Sequence, residues 1–367
     1  MNVEILSVGA ATPRHEMSQP EAIALAHRIC CVDERQSRLA SALYKHAGVQ
    51  TRYTAIPHTD AYRWLPEPSS AEAGTAPNFG PSTAERMALY EEHALPLALR
   101  AAADALERSA CKPSEITHVV TASCTGFTAP GVDSGLVHAL QLRPTTQRIH
   151  VGYMGCHGAI NALRVAHGLA CTDARARILV VAVELCSLHY AFHWDSERMV
   201  GNALFADGAG AMVIGAGSDD AAQRNPRRWR LAATGSYLFP GTADAMSWRV
   251  GDHGFAMTIS PQLPGLIRDH LGNWLTAWLA MQGLKREDVR SWAVHPGGPR
   301  ILDAVESAMD LPADATRVSR EVLSQFGNMS SATVLFILKS LLGSNAPPPC
   351  VLLGFGPGLV AEAALMS

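Results

Sequence analysis

The chain is 367 residues long, 48% hydrophobic and 17% charged, with a formal net charge of −3. A near-neutral balance with no long basic run leaves no footprint for nucleic acid or an acidic membrane surface, and no apolar run approaches the length of a membrane span. What remains is a globular protein of enzyme size, long enough for two cores or one large one. The eight cysteines are scattered with no CxxC pair, and the fifteen histidines include no HExxH. With no secretory character in MNVEILSVGAATP, the expectation is a reduced, cytoplasmic protein with neither a disulfide framework nor a metal site.

In chain order, VEILSVGAATP reads as a short apolar strand, followed by a helical stretch from about Gln19 to Lys45. The segment from Thr51 to Pro81, rich in Pro, Thr, Ala and Gly, is expected to loop over the surface. A long helix (Thr83–Ser109), the strand ITHVVTASC, a helix beginning after PGVD, and the strand RIHVGYM come next. A helix opening at MGCHGA, the strand RILVVAVEL and the strand GAGAMVIGAG complete a first half. The polar stretch 218–229, SDDAAQRNPRRW, reads as the connection, dividing the chain into 1–217 and 218–367. Beyond it lie a helix from about Leu263 to Met281, the strand SWAVH, helices in ILDAVESAM and GNMSSATVLFILKSLL, and the closing strand CVLLGFG. Alternating strands and helices predict an α/β protein with mostly parallel sheets covered by helices.

Three places put a chemically capable residue at a strand end or helix start. In YMGCHGAINALRVAHGLA, Gly155 and Gly158 bracket Cys156 and His157, and Ile160, Leu163, Ala166 and Leu169 follow at steps suited to a buried helix face. Unpaired amide hydrogens at a helix start favour a thiolate, although a lone cysteine is more often an inert small hydrophobe in a packed turn. In WAVHPGGPRILDAVE, His295 ends an apolar strand, and PGGP prevents regular structure before the next helix. In FGNMSSATVLFIL, Asn328 precedes an apolar helix, where it can serve as an N-cap or as an amide donor. Together the thiol, imidazole and amide supply the parts of thiol acyl transfer: a nucleophile, a proton partner and an oxyanion donor.

The run VGAATP, CTGFTAPGVD, MGCHGA, ELCSLHY, ALFADGAGAMVIG, HPGGPRILDAVE, SREVLSQFGNMSSATVLFIL and GFGPGL resembles, in order and across essentially the whole chain, the type III polyketide synthases. These are the chalcone synthase-like branch of the thiolase fold. The resemblance implies a five-layered αβαβα fold built from two similar halves and an intertwined homodimer. It places the catalytic cysteine on Cys156, the histidine on His295 and the asparagine on Asn328. Phe205 matches an aromatic gatekeeper between the acyl-CoA tunnel and the reaction cavity. Met257 stands where plant members carry a second gatekeeping phenylalanine. Cys124, Cys186, His189, Trp248 and Ser330 fall at cavity positions, and Lys45, Arg52 and Arg300 are candidates to meet the phosphates of coenzyme A.

The implied chemistry is acyl transfer from coenzyme A to Cys156, decarboxylation of malonyl-CoA, and attack of the resulting enolate on the bound thioester, with no cofactor besides the coenzyme A thioesters. MSWRVGDHGFAMTIS resembles bacterial members that take fatty acyl starters and make alkylpyrones or alkylresorcinols. In that reading Trp248, where plant chalcone synthases have a small residue, closes part of the cavity and leaves a separate channel for an alkyl chain. Asp207 reads as a hydrogen-bond anchor, and Glu184 as a buried sheet partner or a support for the site. GFGPGL matches no dinucleotide or phosphate-loop fingerprint; its glycines let backbone approach the catalytic centre. The alternatives are a carrier-protein-dependent ketoacyl synthase of the same fold and a catalytically silent acyl-binding homologue. A thiolase would need a second catalytic cysteine, and Cys350 lies outside a plausible catalytic turn.

Overall fold

The computed structural model describes residues 2–65, 79–217 and 229–367. The first part holds β1 (Val3–Ala11), β2 (His15–Ser18), α1 (Gln19–Cys30), α2 (Glu34–His46), β3 (Thr51–Thr54) and α3 (Thr83–Ser109). It continues through β4 (His118–Ser123), α4 (Val132–Ala139), β5 (Gln147–Gly152), α5 (Gly158–Thr172), β6 (Arg177–Leu185), α6 (Ser196–Leu204) and β7 (Asp207–Ala216). The second part runs β8 (Leu231–Leu238), β9 (Met246–Gly251), β10 (Gly254–Ile259), α7 (Leu263–Met281), β11 (Ser291–Val294) and α8 (Pro299–Ala308). It closes with α9 (Arg317–Phe326), α10 (Thr333–Gly343), β12 (Cys350–Gly356) and β13 (Val360–Met366). Most of the predicted connection, residues 218–228, lies outside the described residues, as does 66–78 of the predicted surface loop.

Five strands form one sheet in the order β1-β7-β6-β4-β5, and four form a second in the order β11-β12-β13-β8. Both are mixed, where the alternation predicted mostly parallel strands. β4 pairs in parallel with β5 and β6, but β7 pairs antiparallel with both β1 and β6. In the second sheet only the β11–β12 pair is parallel, because β12 and β13 are joined directly by a tight turn.

Apolar side chains set the layers. α5 and α10 are apolar on nearly all sides, which suits burial on every face, and they pack between the two sheets in one continuous core. α3 covers the outer face of the first sheet through an alanine-rich stripe, Ala94, Ala98, Ala101, Ala102 and Ala105. These small residues bring the helix so close that a Cβ on Gly9 of β1 would lie 2.3 Å from the Ala101 carbonyl oxygen. α7 and α8 cover the outer face of the second sheet. The order is thus helix, sheet, helix, sheet, helix, the five-layered thiolase-like arrangement.

Two expectations change. The Gln19–Lys45 stretch is two helices, because Asp33 accepts the Gln36 amide at 2.7 Å and caps α2 afresh. The predicted surface loop begins with β3, which pairs with β2 and turns Arg52 and Thr54 inward, and residues 58–64 form short helical turns.

Candidate active site

Cys156 sits in the single helical turn Gly155–His157 that feeds α5. Gly155 has φ +72°, and a Cβ there would lie 2.5 Å from Pro357, so only glycine lets the turn pass beneath the β12–β13 connection. His295 follows β11, its amide donating to the Leu353 carbonyl at 2.7 Å. Asn328 is carried on extended backbone bridged to Phe205: its amide donates to Leu204 and its carbonyl accepts from Ala206, both at 2.9 Å. Its side-chain oxygen accepts the Ser330 amide at 2.8 Å, which leaves the side-chain NH₂ as the free end. Asn328 is therefore both a local turn-maker and an available donor.

Cys156, His295 and Asn328 line one end of a cavity of about 630 Å³. The Asn328 amide and the Ser330 hydroxyl are hydrogen-bond partners that favour the Cys156 thiolate, but burial outweighs them and pushes the thiol up to about 12. The helix-start argument for a thiolate is thus overridden by desolvation. His295 is 1% exposed, and among the described residues neither of its ring nitrogens has a hydrogen-bond partner. Burial, with a smaller contribution from His157, holds it down at about 3, so the resting imidazole is neutral.

Beneath the thiol lies a buried polar cluster. The Cys124 thiol approaches the Ser330 hydroxyl at 3.2 Å, and Ser330 adopts φ +47°, a conformation a side chain takes only when its surroundings enforce it. Glu184 collects the Cys124 amide at 3.0 Å, the Thr125 hydroxyl at 2.7 Å and the Ser331 hydroxyl. Burial raises its carboxyl above the usual range. Glu184 therefore serves both readings: it belongs to the sheet and ties the floor of the site together.

Phe205 and Met257 border both the large cavity and a small space of about 20 Å³ behind it. Cys186, His189 and Trp248 line that small space. His189 is committed to structure: one nitrogen meets the Thr125 carbonyl at 2.7 Å and the other accepts the Phe255 amide at 3.0 Å. Its ring stacks on Phe255 at 4.2 Å, and burial lowers it to about 3. The Trp248 indole donates to the Cys124 carbonyl at 2.6 Å and packs edge-on against both rings. The indole, imidazole and phenyl rings pack together around the small space of about 20 Å³.

Of the basic residues chosen for coenzyme A, Arg300 lines the cavity and is exposed, while Lys45 is exposed on α2 without lining it. Arg52 is a correction. It is 1% exposed, and its guanidinium donates to the carbonyls of Asn202, Ala203 and Phe205 at 2.8, 2.6 and 3.0 Å, so it has no face toward a phosphate. Sequence reasoning missed the α2 wall: Leu39, Ala42, Leu43 and His46 all line the cavity. Their i, i+3, i+4, i+7 spacing was the signal. It also missed His157, wedged against Gly354 and Gly356 of β12, which explains those glycines. Asp207 is the predicted anchor, accepting the amides of Ser187 and Ala55, each at 2.7 Å.

Residues 2–218 match the profile of the N-terminal domain of chalcone and stilbene synthases, and residues 230–367 match that of the C-terminal domain. The chain belongs to the chalcone and stilbene synthase family. It is an acyltransferase, a type III polyketide synthase of the bacterial kind. It is 33% identical over 365 residues to a 1,3,6,8-tetrahydroxynaphthalene synthase of Streptomyces peucetius subsp. caesius, covering 99% of this chain and 92% of the relative. It is also 33% identical over 371 residues to an alpha-pyrone synthesis polyketide synthase-like protein of Mycobacterium tuberculosis, covering 99% and 90%. The crystal structure of PKS-I from the brown alga Ectocarpus siliculosus superposes with a TM-score of 0.90 at 26% identity, covering 100% of this chain and 98% of that one. The C-terminal type III domain of a Dictyostelium hybrid synthase shares the fold, with a TM-score of 0.89 at 24% identity, covering 100% and 99%.

Proposed function

We propose that this synthase loads an aliphatic, fatty acyl starter from coenzyme A onto Cys156 and extends it with malonyl-CoA to an alkylpyrone. The observation that carries the reading is the cavity of about 630 Å³ whose walls, from α2, α6 and the β9–β10 hairpin, are almost wholly apolar and end on Cys156, His295 and Asn328. An apolar wall suits an alkyl chain, and Arg300 and His46 border the same space, where they can meet coenzyme A phosphates. Exposed Lys45, next to His46, adds charge there. Behind Phe205 and Met257 only about 20 Å³ stays open, which favours few extensions and a small ring over a longer chain folded to a resorcinol or naphthalene.

In this mechanism His295 takes the Cys156 proton, the thiolate attacks the starter thioester, and coenzyme A leaves as its thiol with that proton. Malonyl-CoA then loses carbon dioxide, and the enolate oxygen is held by His295 and the Asn328 NH₂. The enolate carbon attacks the Cys156 thioester, the thiolate leaves, and the extended chain remains on coenzyme A for reloading. Ring closure of the chain's enol oxygen on its thioester carbon expels the thiol and gives the pyrone.

The half-exposed aromatics Phe127 and Tyr153, packed together beside Met154, support a homodimer through this face, and eight unpaired cysteines suit a reducing cytoplasm. The test is mass spectrometry of products from purified protein, malonyl-CoA and a ladder of acyl-CoA starters, beside Cys156→Ala. Pyrones whose mass grows with the starter and vanish in the variant support the reading. Products formed from malonyl-CoA alone, indifferent to the starter, overturn the aliphatic assignment, and no condensation with any coenzyme A ester points to a carrier-protein substrate.

A further inference from the structure

Two fully buried arginines hold the segment that walls the cavity, and among the described residues neither has a carboxylate within hydrogen-bonding distance. Arg86 of α3 binds the start of the segment, donating to the carbonyls of Leu188 and Tyr190 and, outside it, to Pro81 at 2.9 Å. Arg52 of β3 binds its end. There the carbonyls of Asn202, Ala203 and Phe205 emerge from the C-terminus of α6, where a positive charge is favoured by the helix dipole. Tyr190 joins them, its hydroxyl donating to the Phe205 carbonyl at 2.7 Å. The same backbone then forms the bridge to Asn328. Behind it, Gly327 has φ +71°, and a Cβ at that position would lie 3.5 Å from the Arg52 Cβ.

We propose that Arg52 is a positioning residue for condensation. It fixes the peptide that carries Phe205 and, through the Leu204–Asn328 and Ala206–Asn328 hydrogen bonds, sets the reach of the Asn328 amide toward the enolate. The gate and the oxyanion donor are thereby one rigid unit with Arg52 as its clamp. The assignment rests on Asn328 being that donor. Arg52 touches no reacting atom, and its effect runs entirely through backbone. Acylation of Cys156 by the starter, to which Asn328 contributes only one of two hydrogen bonds on the sulfur, is less dependent on it than malonyl-CoA decarboxylation and extension.

The experiment compares Arg52→Lys, Tyr190→Phe and Arg86→Lys with the unaltered enzyme. It measures single-turnover acylation of Cys156 by mass, carbon dioxide release from malonyl-CoA, product chain lengths, and thermal unfolding. Lysine keeps the charge of Arg52 but cannot span three carbonyls, and Tyr190→Phe removes only the hydroxyl on Phe205. The expected result is acylation close to the unaltered rate and decarboxylation lower by about tenfold or more in Arg52→Lys, as misplacement of a donor produces. A smaller loss in the same direction is expected in Tyr190→Phe, with more single-extension product in both. Arg86→Lys, which does not touch the bridge, should lower both half-reactions together, in step with its folded fraction. If Arg52→Lys and Tyr190→Phe behave like Arg86→Lys, or leave both half-reactions intact, the proposal falls. Asn328→Ala tests its premise separately: if decarboxylation survives in that variant, the donor assignment fails, whatever Arg52 does.

Discussion

Replacing Asn328 by alanine separates two jobs of one side chain, the donor of the proposed mechanism and the acceptor of the fold. Its NH₂ end faces Cys156, and its oxygen accepts the Ser330 amide at 2.8 Å. Loss of a single donor to a developing oxyanion costs about a hundredfold to a thousandfold in rate, or about 3 to 4 kcal/mol. Loss of the acceptor leaves a buried Ser330 N–H unpaired, which costs about 1 to 3 kcal/mol of stability. The backbone bridge to Leu204 and Ala206 uses no side-chain atom and survives. Asn328→Asp keeps an oxygen for Ser330 while removing the donor, and it adds a buried carboxyl beside the Cys156 sulfur, where a negative charge repels the enolate. Carbon dioxide release from malonyl-CoA should fall by at least about the hundredfold of a lost donor in both variants, and the urea midpoint should drop in alanine by the cost of the unpaired Ser330 amide. A decarboxylation rate within about threefold of the original in Asn328→Ala would be far below a donor's ordinary worth, and would refute the assignment.

Two further predictions follow from buried charge. In His295→Gln, alkylation of Cys156 by iodoacetamide near pH 7 should slow by at least about tenfold, the effect of one pKa unit, since the thiol then keeps the high value that burial gives it. Equal rates with and without the imidazole would show that His295 does not stabilise the thiolate. Asp207, raised by burial to about 6, binds its proton more tightly folded than unfolded, where it titrates at about 3.9. Its contribution to stability is fully present below about pH 4 and is lost as pH rises through 6, a change of about 3 kcal/mol. Asp207→Asn should flatten the pH dependence of the urea midpoint between pH 4 and 6 by that amount, and an unchanged slope would remove the buried-charge argument.

The fold was legible wherever local pattern and tertiary demand agree. α3 runs from Thr83 to Ser109 as read, because Ser82 and Glu85 form a capping box and an alanine stripe gives it one packed face. The apolar strands were legible for the same reason. Strands β8, β9 and β10 were not: LAATGSYL is only partly buried, and MSWRVG and GFAMTI are mutual partners in a two-stranded hairpin that relies on neighbours for its burial. Arg52 was misread because a basic residue in TRYT looks like surface charge. Only the alternation that turns it inward with Thr54, together with the distant carbonyls of α6, shows that its partners are backbone.

The charge state of Cys156 marks the limit of reading a site from its own segment. GCHGA at a helix start argues for a thiolate, and that argument is right about the local dipole. It cannot see that Cys124, Ser330 and Asn328 close over the sulfur from segments 32 to 174 residues away, leaving the residue 5% exposed and the thiol pushed up to about 12 by burial. Burial opposes the imidazolium of His295 just as it opposes the thiolate. In the proposed mechanism, moving one proton from sulfur to nitrogen creates both charges together, and in a water-poor cavity their attraction offsets part of the desolvation of each. Activation of the nucleophile in that mechanism is therefore a property of the pair, carried by a β12–β13 turn that demands Gly155 and a strand end whose His295 has both ring nitrogens without a partner among the described residues.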